Sequence, residues 1–146
     1  LALAIAGDEA DAADITQDTF VAMWKQLPKL RDGDRFDAWL HRIVVNAARM
    51  AVRGRRRRRV REIPNTELAE VGADRTMPVS PDGRRLAAAL TDLDSDQRAL
   101  LALHHLEGRS LAEIGLTLGI PVGTVKSRLF AARRALDAAL SREEER

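Results

Sequence analysis

Residues 109–136 read Arg-Ser-Leu-Ala-Glu-Ile-Gly-Leu-Thr-Leu-Gly-Ile-Pro-Val-Gly-Thr-Val-Lys-Ser-Arg-Leu-Phe-Ala-Ala-Arg-Arg-Ala-Leu, a pattern typical of a helix-turn-helix. Ser110 and Glu113 have the spacing of a capping box, which satisfies the free N–H groups at the start of a helix. Gly119 predicts the end of that helix, because glycine adopts the left-handed backbone conformation at little cost. Pro121 suits the first turn of a second helix.

The second helix has two different faces. One face is apolar and should pack inward; its residues are Val125, Leu129, Ala132 and Leu136. The other side carries Lys126, Ser127 and Phe130, with Arg133 and Arg134 further along, and residues 121–136 contain no acidic side chain. This distribution predicts DNA binding in the major groove. An amphipathic helical hairpin with a solvated basic face is the alternative.

The composition favours a helical protein. Hydrophobic residues make up 45% of the 146 residues but aromatic residues only 3%, so the core must consist mainly of aliphatic side chains. The chain has no cysteine, which excludes disulfides and thiolate zinc sites within it. No apolar run has the length of a membrane span, and residues 1–6 make a poor signal peptide. We therefore expect a cytoplasmic protein without membrane insertion.

A helix is predicted over residues 8–27. One of its stripes is apolar and contains Phe20, Trp24 and Leu27. A second stripe, spaced i, i+3, i+4 and i+7, contains Asp14, Gln17, Asp18 and Val21. This second stripe is either a solvated face or a docking surface for a basic partner helix.

Another helix is predicted from about Phe36, and Gly54 marks its possible end or a kink. Its polar stripe contains Arg42, Asn46, Arg49 and Arg53. This stripe runs into an arginine-rich segment, residues 53–61, in which seven of nine residues are arginine. Arginines of this kind contact phosphates, and an asparagine can read a base edge. A solvated tail is the alternative.

The aromatic residues have two interpretations. They could stack on unpaired bases. Their helical spacing favours packing in the core for most of them; the residues concerned are Phe20, Trp24, Phe36 and Trp39.

Residues 62–83 read as a linker, because prolines and glycines interrupt the sequence and no apolar periodicity survives. Helical periodicity resumes at about Arg84, with Leu100, Leu103 and Leu106 in the apolar positions of a later helix. We therefore predict an all-α chain of two small helical domains joined by a flexible linker. The domains cover residues 1–61 and 84–146, and the second is a helix-turn-helix domain.

Catalysis has little support in the sequence. It contains no phosphate-binding loop, no dinucleotide-binding glycine motif, no zinc-protease motif and no nucleophile elbow. His104 and His105 are adjacent and point to different parts of a helix surface, and His41 lies in the other domain, so they do not suggest a metal site. We expect no enzyme activity, no cofactor and no metal.

Two distant segments together resemble one family. Residues 14–20 (Asp-Ile-Thr-Gln-Asp-Thr-Phe) and 36–46 (Phe-Asp-Ala-Trp-Leu-His-Arg-Ile-Val-Val-Asn) resemble region 2 of bacterial sigma factors. Residues 111–136, with Gly-Thr-Val-Lys-Ser-Arg-Leu at 123–129, resemble region 4. The presence of these two regions alone, joined by a short linker, resembles the extracytoplasmic-function class.

The resemblance implies a function and partners. It implies a transcription initiation factor that binds core RNA polymerase and promoter DNA, and that is held by an anti-sigma factor. The residues that match the surface docking on the clamp helices of the largest polymerase subunit are Asp14, Gln17, Asp18 and Val21. The C-terminal domain would contact the polymerase flap.

The resemblance also implies two DNA-binding surfaces. At the minus-ten element a loop would capture a flipped base and a helix would recognise the element and hold the backbone; the residues are Leu30, Arg31, Asp32, Gly33, Asp34, Arg35, Arg42, Asn46, Arg49 and Arg53. At the minus-thirty-five element the matching positions are Ser110, Thr124, Lys126, Ser127, Arg128, Phe130, Arg133 and Arg134.

The sequence departs from the family pattern in three places. The resemblance implies a further helix before Leu1, which is either missing or not included in this sequence, so the chain is expected to be truncated at the N-terminus. Met50 stands where an acidic residue is common, and Ala131-Ala132 replaces a more basic stretch.

Two other functions compete with the one implied. A stand-alone helix-turn-helix regulator would explain residues 84–140 and predicts a dimer on a palindrome. A module that binds only proteins predicts no salt-dependent DNA binding.

Overall fold

The structure, a computed structural model, describes residues 1–61 and 80–144, and the all-α prediction is confirmed. These residues form seven α-helices and no strand: α1 (Ala2–Ala6), α2 (Glu9–Gln26), α3 (Phe36–Arg61), α4 (Pro81–Thr91), α5 (Ser95–Leu101), α6 (Leu111–Leu118) and α7 (Val122–Glu144). Most of the predicted linker lies outside the described residues.

Helices α1, α2 and α3 form the N-terminal domain. Asp8 begins α2 by accepting a hydrogen bond from the Asp11 backbone N–H at 2.9 Å. Ile5, Ile15 and Val45, one from each helix, are fully buried. These branched side chains make the centre of a small aliphatic core, as the composition predicts.

Helix α3 runs through Gly54 without ending there, so the helix end considered at this glycine is wrong. Arg55, the next residue, pairs with Asp8 and Asp11 at the start of α2. These ion pairs hold the glycine-containing turn of α3 against α2, and they offset the low helix propensity of glycine.

The apolar stripe predicted for α2 does not enter the core. Trp24 is 80% exposed and Phe20 is 61% exposed, whereas Ile15 and Thr19 are buried. Adjacent residues of an α-helix are about 100° apart around its axis, so the face that contains Phe20 and Trp24 is turned away from the face that packs on α1 and α3. The spacing of apolar residues identifies a stripe on a helix, but it does not indicate which stripe packs against another helix.

Helix α4 begins shortly before Arg84, where helical periodicity was predicted to resume. The Ser80 side chain accepts from the Gly83 N–H at 3.1 Å and Pro81 occupies the first turn, so α4 begins inside the segment assigned to the linker. Helix α5 continues into a π-helical turn, Ala102–Leu106. Because a π turn is wider than an α turn, it displaces side chains around the helix axis. Leu106, which follows the apolar pattern of Leu100 and Leu103, is 69% exposed.

The helix-turn-helix has the predicted local structure. Ser110 and Glu113 form both hydrogen bonds of the capping box, at 2.7 and 3.2 Å, and Gly119 ends α6 with φ of 67°. A Cβ atom on Gly115 would lie 2.9 Å from the Ile120 carbonyl oxygen. This glycine is therefore what allows the turn to fold back closely on α6.

The two domains pack against each other through their helices. Helices α1 and α3 contact α5, and α3 also contacts α6. The buried cluster is continuous across this boundary, since it includes Ile5 and Val45 from one side and Leu101 and Ile114 from the other. The surfaces predicted for DNA and polymerase are therefore arranged around a shared core.

Candidate nucleic-acid interface

One basic face lies on α7. Lys126, Ser127 and Arg128 are exposed and Phe130 is 63% exposed, because Val125 and Leu129 turn the opposite side of the helix into the core. We call Lys126, Ser127, Arg128 and Phe130 the α7 face. The structure brings these predicted residues together on a surface that a DNA groove could reach.

Other residues predicted for this surface are engaged within the domain. Ser110 is exposed, but its hydroxyl oxygen accepts from the Glu113 N–H as the helix cap. Thr124 is half-buried and its carbonyl accepts from the Ser127 hydroxyl at 3.0 Å. The Arg133 Nε donates to His105 Nε2 at 3.4 Å, while Arg134 is exposed. Arg134 is thus the more available of the two arginines.

Two ionisable groups beside the helix-turn-helix have shifted pKa values. Burial lowers the pKa of His105, and the positive charges of His104 and Arg133 lower it further. The pKa of Glu113 is lowered chiefly by its hydrogen bond from the Ser110 backbone, with a smaller contribution from Arg109. The Glu113 carboxylate therefore stays charged in mildly acidic solution, and His105 stays neutral at a lower pH than an ordinary histidine.

A second basic face lies on α3. We call Arg42, Asn46, Arg49 and Arg53 the α3 stripe. Arg42, Asn46 and Arg53 are exposed, and Arg49 is half-buried. Two of the four are also bonded to the C-terminal domain: the Arg42 Nε donates to the Thr117 carbonyl at 2.9 Å and its Nη2 to the Leu116 carbonyl, and the Arg49 Nε pairs with Asp96 at 2.6 Å.

The segment Leu30–Arg35 precedes the α3 stripe and has a defined local shape. The Asp32 carboxylate accepts from the Asp34 N–H at 3.1 Å and pairs with Arg35 Nε at 3.4 Å, which closes the short 3₁₀ turn Gly33–Arg35. Leu30 is half-buried, and Arg31 is exposed along with the rest of the segment. Its polar groups are accessible without any change in the surrounding structure.

A groove of about 900 Å³ lies along the surface where α2 packs against α3. Asp18 and Val21 line it from α2, and Arg42, Asn46 and Trp39 line it from α3. Trp39 also contacts Phe36, with ring centroids 5.6 Å apart. The groove therefore joins the surface predicted for polymerase to the surface predicted for the minus-ten element.

The polar face of α2 is fully accessible. Asp14, Gln17 and Asp18 are exposed, and Val21 is 47% exposed. Within residues 1–61 and 80–144, none of these four side chains forms a hydrogen bond or an ion pair. The geometry fits a surface that receives a partner helix.

Sequence reasoning missed the internal role of Arg55, which was assigned to the arginine-rich segment. Arg55 is half-buried in its ion pairs with Asp8 and Asp11 rather than free for phosphates. The signal that could have indicated this is the group of acids, Asp8, Glu9 and Asp11, at the start of α2. A helix N-terminus rich in acids is a natural partner for one arginine of a nearby run.

Comparison with known proteins agrees with this arrangement. The family model of sigma-70 region 2 matches residues 1–58, and that of sigma-70 region 4 matches residues 83–136. The chain is 33% identical over 138 residues to the ECF RNA polymerase sigma-E factor of Escherichia coli (strain K12), across 87% of this chain and 72% of that protein. The chain belongs to the extracytoplasmic-function (ECF) sigma factor family.

Another ECF relative is longer. The ECF RNA polymerase sigma factor SigE of Mycolicibacterium smegmatis is 38% identical over 141 residues, which are 93% of this chain but 54% of that protein. The chain described by this structure therefore spans about half the length of that relative.

Solved structures of ECF relatives share the fold. The sigma factor RpoE in complex with the anti-sigma factor NepR from Bartonella quintana has a TM-score of 0.70 at 28% identity, covering 96% of this chain and 87% of that one. CnrH in complex with the cytosolic domain of CnrY has a TM-score of 0.67 at 33% identity, covering 96% and 77%. The likeness thus extends over both helical domains.

Two further properties concern the described residues only. No helix among residues 1–61 and 80–144 combines the length and apolarity that crossing a membrane requires. No cluster of three or more potential metal-ligating side chains occurs in that same part of the chain.

Proposed function

We propose that this chain directs core RNA polymerase to specific promoters, as a sigma factor with one DNA-binding surface in each domain. The observation that carries the proposal is the pairing of two family regions, in order, with an exposed surface on each. The α7 face is assigned to the minus-thirty-five element. The α3 stripe and the segment Leu30–Arg35 are assigned to the minus-ten element.

The chemistry of each surface supports its assignment. Lysine and arginine side chains neutralise phosphates and release counterions, which gives affinity without sequence preference. Asn46, exposed in the middle of the α3 stripe, carries both a donor and an acceptor and can read a base edge. The loop beside it is open enough to receive an extruded base, and such capture offsets part of the cost of unstacking.

Docking on polymerase is assigned to the exposed α2 residues Asp14, Gln17, Asp18 and Val21. Their two carboxylates suit a basic partner helix, and Val21 supplies apolar contact. The C-terminal domain is assigned to the polymerase flap. Two weak DNA-binding modules gain from being held on one enzyme, because binding of the first raises the effective concentration of the second.

The solved relatives support a further partner. Both were solved in a complex, one with an anti-sigma factor and the other with the cytosolic domain of CnrY. We assign an anti-sigma factor to this chain as well. A bacterial cytoplasmic location and the absence of any catalytic role follow from the proposed function.

In vitro transcription with purified core polymerase tests the proposal. A genomic library is transcribed with and without the protein, and the expected result is initiation at a specific set of promoters. The double substitution Asp14→Lys and Asp18→Lys should abolish that initiation by reversing the charge of the docking face. The matched control is Asp82→Lys with Asp137→Lys, which changes the net charge equally at exposed positions of the other domain.

The stand-alone regulator makes a different prediction. It gives no polymerase-dependent initiation, yet it binds duplex DNA as a dimer on a palindrome. Loss of initiation in the control as well as in the docking variant would also count against the proposed docking face.

A further inference from the structure

Arg133 extends the α7 face along the helix. Lys126, Phe130 and Arg133 are spaced i, i+4 and i+7, so they lie on one side of α7. All three line a groove of about 540 Å³, and His104 lines the same groove from the π-helical turn Ala102–Leu106. The groove therefore connects residues assigned to the minus-thirty-five element with the wide turn that precedes the helix-turn-helix.

The position of Arg133 suits a contact with the DNA backbone. It is exposed and lies seven residues beyond Lys126, which is about 10 Å along the axis of an α-helix. The major groove is about 12 Å wide and about 8.5 Å deep, so a residue that far from the base-reading end of the helix lies near the phosphates at its rim. A guanidinium at such a place can bind one phosphate through two hydrogen bonds.

The partner of Arg133 in the structure is a neutral ring. The Arg133 Nε donates to His105 Nε2 at 3.4 Å, and a ring nitrogen accepts a hydrogen bond only while it carries no proton. The imidazole of His105 is therefore uncharged in this arrangement, with its proton on Nδ1. Arg142, further along α7, pairs instead with a carboxylate of Asp92 at 2.8 Å. The charge of Arg133 is thus not neutralised by the group that holds it.

Cationic groups face the His105 ring. His104, from the same turn, meets it edge-on with ring centroids 4.8 Å apart, and Arg133 approaches it from α7. Lys126 shares the groove with His104 and Arg133. Burial lowers the pKa of His105, and the charges of His104 and Arg133 lower it further. An anion placed among these groups would offset the charges that keep the ring neutral.

The carboxylates that follow the π-helical turn in the chain are engaged with other groups. A Glu107 carboxylate oxygen lies 3.4 Å from His41 Nε2. Glu113 accepts from the Ser110 backbone N–H at 2.7 Å and pairs with Arg109 at 3.5 Å. Neither carboxylate is among the groups that shift the pKa of His105. The anion to which this ring would respond therefore has to come from a ligand.

We infer that Arg133 and His105 form a proton-coupled phosphate site at the edge of the minus-thirty-five surface. A backbone phosphate of the duplex binds Arg133, and the Arg133 Nε leaves His105 Nε2. That nitrogen then takes one proton from the solvent and donates it in a hydrogen bond to the same phosphate. This inference rests on the proposed function, because it takes the α7 face as a DNA-binding surface.

The coupling between DNA and the proton follows from charge. A phosphate next to His105 favours the charged form of the ring, so DNA binding raises the pKa of His105 above its value in the free protein. Because the two equilibria are reciprocal, protonation strengthens DNA binding by the same factor. The gain in affinity is complete below the pKa of the free protein and is lost as the pH rises through the higher pKa of the complex.

The test measures duplex binding by the full chain as a function of pH. The probe is a short rhodamine-labelled duplex of fixed sequence, titrated by fluorescence anisotropy at constant ionic strength. The variant is His105→Gln, whose amide oxygen can still accept from Arg133 but whose side chain cannot take up a proton. The matched control is His41→Gln, which removes a histidine of α3 that does not line the groove beside α7.

The expected result has two parts. The affinity of the wild type should rise by about three- to tenfold between pH 7.5 and pH 5.5, and His41→Gln should keep this rise while His105→Gln abolishes it. NMR titration of the His105 ring should give a higher pKa in the duplex complex than in the free protein. A purely structural role of His105 would not produce this shift.

Two outcomes would overturn the inference. One is a His105→Gln variant with the pH dependence of the wild type, and the other is a pKa of His105 that does not rise when the duplex binds. Neither measurement involves polymerase. Proton-coupled binding without promoter-specific initiation would reject the proposed function and leave the phosphate site standing, and initiation without the coupling would do the reverse.

Discussion

The α7 face and the α3 stripe are both basic surfaces, but they differ in their surroundings. Both lie on long helices and both combine cations with polar side chains. The α7 face meets only solvent, whereas the α3 stripe gives Arg42 and Arg49 to the other domain. The composition of a basic surface therefore indicates what it can bind, and the element packed against it decides which of its side chains are available.

Core packing beneath the α7 face should have the largest effect. Ile114 is fully buried, so Ile114→Ala should cost about 2–5 kcal/mol of the free energy of unfolding, through lost burial and the cavity left behind. Phe130→Ala, on the exposed side, should change that free energy by less than about 0.5 kcal/mol while it weakens duplex binding. Urea denaturation measures the free energy of unfolding of each variant, and fluorescence anisotropy measures its binding to duplex DNA. Equal destabilisation by both changes would show that Phe130 packs in the core.

The turn that positions the α7 face comes next. Gly115→Ala places a methyl group 2.9 Å from the Ile120 carbonyl oxygen and should cost about 1–3 kcal/mol. Gly123→Ala is the control, because a Cβ there meets nothing within 4 Å; it should stabilise the protein by about 0.4–1 kcal/mol. Thermal unfolding of both variants measures the difference. A neutral Gly115→Ala would mean that the turn has room to relax.

The salt dependence of DNA binding should distinguish a lysine of the α7 face from an arginine elsewhere on the same helix. Lys126→Ala should reduce the slope of log K against log salt for duplex DNA by about one, because one phosphate contact is lost. Arg142→Ala is the control, because it removes the same charge from the same helix. The Arg142 side chain pairs with Asp92, so its loss should change the slope little. Anisotropy titrations at several salt concentrations measure both slopes. Identical slopes in the two variants would place Lys126 outside the interface.

The smallest effect concerns His105. Its pKa should lie below the ordinary value of 6.5, and Arg133→Gln should raise it by removing one neighbouring charge. Because the folded-state pKa is lowered, the associated stability is complete above pH 6.5 and is lost as the pH falls through the folded-state value. NMR titration of the ring protons measures the pKa. A value at or above 6.5 would contradict the combined effect of desolvation and neighbouring positive charge on this ring.

Local features were predictable from the sequence. The capping box of Ser110 and Glu113 and the left-handed Gly119 depend on residues a few positions apart, and all three have the predicted geometry. The buried positions of α7 followed from helical periodicity in the same way. Interactions of this kind are set by neighbouring residues, so a sequence pattern is sufficient to identify them.

Long-range features were not predictable. Arg42 bonds to backbone carbonyls 74 and 75 residues away, and any sequence has carbonyls at the end of a helix. The exposure of Trp24 depends on which side of α2 receives a neighbour. The pairing of Arg55 with Asp8 and Asp11 depends on α3 lying beside the start of α2. The roles of the site residues remain predictions that the experiments above test.

Helix α7 continues beyond the α7 face. Ala139 is fully buried, Leu140 packs against the same core, and Arg142 pairs with Asp92 beside α4. The domain therefore cannot complete its core until these last turns are available. During synthesis α4, α5 and α6 emerge first and lack the helix that joins them, so this domain folds only after its final turns have left the ribosome, later than the domain before it.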